Sequence, residues 1–394
     1  MRWLLVKHAR PGMVLARPVS AEGRTLLAPG VVLTARVLHR LEELGISTLY
    51  VREPGDVDPK VVAEATEVVS ERTRGQAYQA VQQYMTRLKA GLVNPVQEGR
   101  RLSLVVRQIV DEVLANRDVI LQLADIRAVE GYLFSHSVGV AVTASFLGIH
   151  LGLDHRSLVG LCLGALLHDV WKVVSADALW NKPTQLSPGE FQEIQRHTVY
   201  GFDILRRNPA FDRRAAHVAY QHHERWDGSG YPRGLTGEKI HLWARVVAVV
   251  DVFDALTTDR VYRPARPVHQ VLGYIEAEAG RSFDPTVVRT FLARVAPYPV
   301  GSRVRLNTGQ VGRVVRLNDG VPARPVVQLA TGEEVNLKTD LARRIVGLAE
   351  EEPPGGRLLP GSRDEARPFG PDDRSGPSAE PRSLGSSPEG PRDA

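Results

Sequence analysis

Between residues 125 and 295 the chain sets imidazoles and carboxylates inside apolar helical runs, and this constrains its fold more than any other feature. His168-Asp169 closes the run LCLGALLHDV, and Asp251 sits within ARVVAVVDVFDAL. Burying either group without a partner is costly, so the fold must bring partners to them. The same span holds most of the chain's 12 histidines, among them His136, His150, His155, His168, His197, His217, His222, His223 and His241. A lone His or Asp in such a place is most often satisfied by a hydrogen bond. Several in one helical region point instead to a shared metal. Imidazole and carboxylate donors without thiolate suit Fe, Mn, Zn, Co or Ni rather than structural zinc or calcium. More donors are present than one tetrahedral site takes. Two metals sharing a bridging carboxylate is the economical arrangement, and such a pair clamps the attacking and leaving oxygens of a phosphoryl displacement.

A chain of 394 residues is too long for one ordinary core. Residues 1–55 alternate short apolar runs with glycine turns and read as a small α+β module, with a helix near 34–44, Gly45 as its C-cap residue and a strand after it. EPGDVDP (53–59) reads as a linker. Residues 56–124 form a helical linker or bundle region, with amphipathic helices over 59–94 and 98–125 broken near Asn94-Pro95. Bundle or dimer packing is the simplest account of them. Residues 125–296 are helical in pattern. Residues 297–348 alternate apolar and polar between glycine turns, which predicts a small β-barrel-like module or meander. Residues 349–394 form an acidic tail predicted to be disordered, since 350–394 hold nine Pro and seven Gly among few large apolars.

Net charge is +5, but 350–394 carry ten acids and six arginines, so the remainder carries +9. A basic body suits a phosphate-rich ligand, although a solvated, arginine-rich surface explains the charge more simply. No Lys/Arg block interleaved with aromatics marks a nucleic-acid groove. No apolar stretch reaches the roughly 18 residues of a membrane span, and the start, MRWLLVKHARPG, lacks a cleavage-like site. The single cysteine, Cys162, allows no internal disulfide. That fits a reducing, cytoplasmic setting.

LLHDVWK, NKPTQLSPGEF, RHTVYGFDIL, HHERWDGSGYPRGL, ARVVAVVDVFDALTTDRVYR and FDP resemble the successive blocks of the HD-GYP phosphodiesterases, over roughly 125–295. HHERWDGSGYP alone is highly specific. Residues 1–52 and 300–347 resemble, more weakly, modules often placed before and after this domain. The resemblance implies a mainly α chain: an all-helical HD-type domain between the small α+β and β modules. It implies hydrolysis of cyclic di-GMP to the linear dinucleotide pGpG, and on to GMP more slowly, with iron or manganese as cofactor.

Carried over by motif, one divalent metal takes His136, His168, Asp169 and Asp251. Asp169 bridges to a second, which adds His197, His222 and His223. Lys172, one turn after His168, matches the family lysine that meets the phosphate, and makes with Asp169 the catalytic pair. Arg260 matches the family arginine near the substrate. Gly230 and Tyr231 belong to the GYP segment, used near the substrate and for contacts with a signalling protein. For Trp226 and Tyr231 packing accounts for the ring as well as ligand stacking does. A homodimer through the helices before the domain is a further expectation. Three departures stand out. Tyr132 occupies the position where trinuclear members carry Glu, and Glu130 is off that helical face, so two metals are expected. Trp171 replaces the usual Gly beside Lys172, and Thr198 replaces a usual Pro. Trp171 leaves open a catalytically weak receptor for the dinucleotide. An HD phosphohydrolase of another nucleotide is the other alternative.

Overall fold

The computed structural model describes residues 2–6, 9–16, 19–21, 24–44, 46, 48–52, 68–121, 132–175, 187–258 and 266–349. The linker at 53–59, Gly45, Glu130, Arg260 and the tail from 350 lie outside the described residues.

Near the N-terminus, β1 (Arg2–Leu5), β5 (Thr48–Arg52) and β2 (Val14–Leu15) form an antiparallel sheet in the order β1-β5-β2. β3 (Val19–Ala21) and β4 (Arg24–Leu27) make a separate two-stranded ribbon. Helix α1 (Ala35–Glu43) starts where the Thr34 hydroxyl accepts the Val37 N–H at 3.2 Å. It buries Leu38 and Leu41 against Leu15, Leu33, Ile46, Leu49 and Val51, a cluster of its own.

Of the two amphipathic helices predicted next, α2 runs Glu71–Lys89 and α3 Pro95–Ala115. Both are shorter than predicted because caps decide their ends. The Ser70 hydroxyl accepts from Thr73 N–H, and Ser70 N–H donates to Glu112 on α3 at 2.7 Å, which fixes the start of α2. Gly91 at φ +69° turns the chain out of α2. Asn94 then caps α3 with Pro95 in its first turn, where a missing N–H costs nothing.

The helical domain continues with α4 (Tyr132–His150), α5 (His155–Leu166), α6 (Val170–Val174), α7 (Pro188–Gln195), α8 (His197–Arg206), α9 (Arg213–Gln221), α10 (Leu242–Thr257), α11 (Val268–Ala277) and α12 (Pro285–Leu292). α4 packs on α5 and α10, and α9 on α5 and α8, around one apolar core that also takes in α2 and α3. A Cβ on Gly160 would lie 2.3 Å from the Trp243 ring, so glycine lets α5 approach the start of α10. Asp284 of the FDP motif caps α12 and pairs with Arg245 on α10 at 2.6 Å, which explains that motif structurally.

The last module is a five-stranded antiparallel sheet, β10-β6-β7-β8-β9, built from Arg303–Leu306 (β6), Val311–Arg316 (β7), Val326–Leu329 (β8), Glu334–Asn336 (β9) and Ile345–Leu348 (β10). The sheet is open, so the barrel alternative fails, while β6-β7-β8-β9 run in sequence as in the meander alternative. β10 and β9 are its two edges and do not pair with each other. Alternation along β6 buries Val304 and Leu306 and exposes Arg303 and Arg305. Such a pattern fixes which face is covered but not whether the edges meet.

Candidate metal centre

Four helix ends and one helix interior bring the polar residues together. His136 lies in the first turns of α4. His168 and Asp169 occupy the break between α5 and α6, His197 opens α8, and His222-His223 follow α9. Asp251 projects from the middle of α10. All seven predicted ligands therefore converge, in two groups whose donor atoms lie within 4.8 Å of one another: His136, His168 and Asp251; and Asp169, His197, His222 and His223. Asp169 joins the groups, since its Oδ2 is 3.4 Å from His168 Nε2 while its Oδ1 faces His197 and His222.

Backbone carbonyls set three of the imidazole tautomers. Nδ1 lies 2.7 Å from the Ala165 carbonyl in His168 and 2.6 Å from the Ile194 carbonyl in His197. His222 Nδ1 lies 3.1 Å from the carbonyls of Val218 and Ala219. A carbonyl only accepts, so each Nδ1 carries the proton and each Nε2 presents a lone pair to the centre. His136 differs: its Nδ1 meets the Asp254 carboxylate at 2.6 Å, and its Nε2 lies 3.1 Å from Asp251 Oδ1.

The donors fit a cation better than they fit each other. His168 Nε2 and Asp169 Oδ1 are buried with no hydrogen-bond partner. Asp169 Oδ1 is 3.5 Å from His197 Nε2 and 3.6 Å from His222 Nε2, and those two nitrogens are 3.4 Å apart. Hydrogen bonds are shorter. Two ligands each about 2.1 Å from one metal, however, stand roughly 3.0–3.4 Å apart at octahedral or tetrahedral angles. Leaving a buried carboxylate oxygen and imidazole nitrogen unsatisfied is expensive, and a shared cation would remove that cost.

Electrostatics agrees. Burial opposes ionisation of Asp169, yet Lys172 and His168 hold its carboxyl well below the usual range. Burial likewise opposes ionisation of Asp251, and His136 overcomes it. Burial, reinforced by Lys172, pushes His197 down to about 3. It also lowers His222, and lowers His223 well below its ordinary value. Burial acts downward on His136 too, but Asp254 and Asp251 outweigh it and raise the ring to about 10. Near neutral pH the site therefore offers charged Asp169 and Asp251 carboxylates and neutral His197, His222 and His223 rings, and a His136 proton that a metal would displace.

Lys172 reaches inward, its Nζ 2.5 Å from Asp169 Oδ2. The Trp171 ring lies against Tyr200 of α8, centroids 4.5 Å apart and planes at 39°. Tyr231 stacks on His223 at 4.8 Å and 25°. A Cβ on Gly230 would lie 2.3 Å from the Arg225 nitrogen and 2.5 Å from the His223 carbonyl, so this glycine serves close approach of the loop to the ligand-bearing turn. Thr198, in the first turn of α8, donates its hydroxyl to the Gln195 carbonyl at 2.8 Å.

Two residues with structural work at the site were not picked out from sequence. Asp254 contacts His136, and its signal was a second carboxylate three residues after Asp251 in the same apolar helix. Glu224 is buried, and its two oxygens accept the N–H groups of Arg233 at 2.8 Å and Leu235 at 2.9 Å, pinning the far side of the loop.

Residues 113–287 match the family described as HD domain, and residues 303–352 the family described as KOW domain associated with HD domain. A cyclic di-GMP phosphodiesterase of Pseudomonas aeruginosa is 35% identical over 238 residues, 58% of this chain and 57% of that one. A cyclic di-GMP phosphodiesterase response regulator of Xanthomonas campestris pv. campestris is 41% identical over 150 residues, 38% of this chain and 40% of that one. A 3'3'-cGAMP-specific phosphodiesterase of Vibrio cholerae is 36% identical over 154 residues, 39% of this chain and 33% of that one. The chain thus spans less than two thirds of the length of each of these relatives. No helix among the described residues is long and apolar enough to cross a membrane. The motifs and these relatives place the HD domain at residues 113–287 in the HD-GYP family.

Proposed function

We propose that this protein is a cytoplasmic phosphodiesterase that hydrolyses cyclic di-GMP to linear pGpG at two divalent metals, iron or manganese. His136, His168, Asp169 and Asp251 would hold one metal, and His197, His222 and His223, sharing Asp169, would hold the other. The observation that carries this reading is Asp169 Oδ1, buried without a hydrogen bond and facing two imidazole nitrogens at ligand-to-ligand distance. When bound, a metal pair supplies Lewis acidity, which lowers the pKa of water and offsets phosphate charge.

The chain's own groups do the rest. Lys172 places a cation beside Asp169, where it meets the charge that grows on the phosphate oxygens. The carbonyls behind His168, His197 and His222 hold each ring in the tautomer that keeps Nε2 free for the centre. Tyr231, held by its stack on His223, borders the substrate, and Arg260 matches the family arginine near the substrate. Water adds to phosphorus, the P–O3' bond breaks, and the released 3'-hydroxyl takes the proton. Relatives that act on cyclic di-GMP and on 3'3'-cGAMP support the cyclic dinucleotide class. The test is turnover of both dinucleotides by anaerobically purified, metal-replete protein, with products separated by chromatography. Linear pGpG from cyclic di-GMP is expected. Binding without cleavage of either compound contradicts the enzymatic reading and leaves a receptor.

A further inference from the structure

Of the four candidate ligand imidazoles with a hydrogen-bonded Nδ1, three use a neutral backbone carbonyl and one uses a charged side chain. That exception is His136, and its partner Asp254 is buried. Asp251 and Asp254 stand three residues apart on α10, so both face the same side of the helix. One meets Nε2 of the His136 ring and the other Nδ1, and the ring is gripped between them. A carboxylate behind a ligating histidine raises its basicity and fixes its orientation more strongly than a carbonyl does.

The charges around the two groups are also unequal. The His136–His168 group has Asp251 in it, Asp254 behind it and Asp169 alongside. The His197–His222–His223 group has Asp169 as its one carboxylate, and that carboxylate is shared with the Lys172 ammonium. Lys172 meets Asp169 at Oδ2, on the His168 side, so Asp169 serves both groups and the difference between them is Asp251 and Asp254, two carboxylates that only the His136–His168 position has.

We propose that Asp254 is a positioning residue that makes the His136–His168–Asp251 position the tighter of two unequal metal sites, so that the centre loads in a fixed order. This rests on the two-metal reading above. It adds a hierarchy which that reading does not require.

The experiment is a calorimetric titration of metal-depleted full-length protein with Mn²⁺ under anaerobic, reducing conditions. Wild type is expected to bind in two separable steps. His197→Ala, which leaves Asp254 in place, should abolish the weaker step and keep the tighter. Asp254→Asn should weaken the tighter step by roughly 10–100-fold, the range for a partner behind a ligating histidine. The weaker step should move far less, and Asp254→Glu should recover part of the loss. A merely structural Asp254 would lower the melting temperature of metal-free protein and leave both steps where they were. That result overturns the proposal, as does loss of the tighter step in His197→Ala. The His197→Ala result decides the order even if Asp254→Asn does not fold. Wild-type protein that takes up no metal or only one overturns the two-metal reading itself. Two metals with indifferent Asp254 variants overturn only the hierarchy.

Discussion

Replacing Glu224 by Gln perturbs the loop 224–235 without touching a proposed ligand. The carboxylate is buried and accepts two backbone N–H groups, from Arg233 at 2.8 Å and Leu235 at 2.9 Å. A hydrogen bond to a charged group contributes about 1.5–3 kcal/mol, and a buried donor left unpaired costs about 1–3 kcal/mol. Glutamine keeps one acceptor oxygen, now neutral, and turns an NH₂ toward the other N–H. The expected loss is therefore about 2–3 kcal/mol. The loop keeps other anchors: Arg225 to Ser282 at 2.6 Å, Asp227 N–H to the Arg281 carbonyl at 2.8 Å, and Trp226 N–H to the Ser282 carbonyl at 3.1 Å. Part of the loss should thus appear as local opening. Hydrogen exchange at Arg233 and Leu235 should quicken by roughly 30–150-fold, the factor that 2–3 kcal/mol implies. Denaturant unfolding and exchange mass spectrometry over the loop read both effects. Since Tyr231 stacks on His223, KM should rise several-fold while metal content holds. A stability change under about 0.5 kcal/mol with unchanged exchange, the range of an ordinary surface substitution, would refute the reasoning.

His241 accepts the Trp243 N–H at 3.2 Å through its ring and so caps α10. Burial, then His217, lowers its pKa from 6.5 to about 4, so its contribution is complete above pH 6.5 and is lost as pH falls toward 4. The ring is half-exposed, so the full shift is discounted to about 1–2 kcal/mol. His241→Asn, which still caps but does not titrate, should shrink the gap in unfolding free energy between pH 7 and pH 5 in metal-free protein by about 1 kcal/mol; an unchanged gap counts against the cap. Trp171→Gly removes the packing on Tyr200 and should cost about 2 kcal/mol of stability, with turnover within a few-fold of wild type. A faster glycine variant would place the ring in the substrate's path.

The proposed ligand set was legible because imidazoles and carboxylates in apolar helices are conspicuous, and a motif such as HHERWDGSGYP has few other meanings. Asp254 was less legible: a carboxylate one turn from a ligand can face solvent, core or ligand, and only the helix rotation decides. The carbonyls of Ala165, Ile194 and Val218 carry no sequence signal, because any residue supplies one. Glu224 adjoins the His pair, yet its acceptor role depends on how the loop returns to it. In the last module, alternation identified the covered face of β6, but an open sheet and a barrel share that pattern.

The central claim is that one carboxylate, Asp169, holds two metals together for phosphodiester cleavage. Elemental analysis of anaerobically purified wild type and Asp169→Ala tests it most directly. The account predicts two metals per chain in wild type, and loss of both, with loss of hydrolysis, in the variant. A wild type with a firm one or three, or a variant that keeps both metals and near-normal turnover, would contradict it.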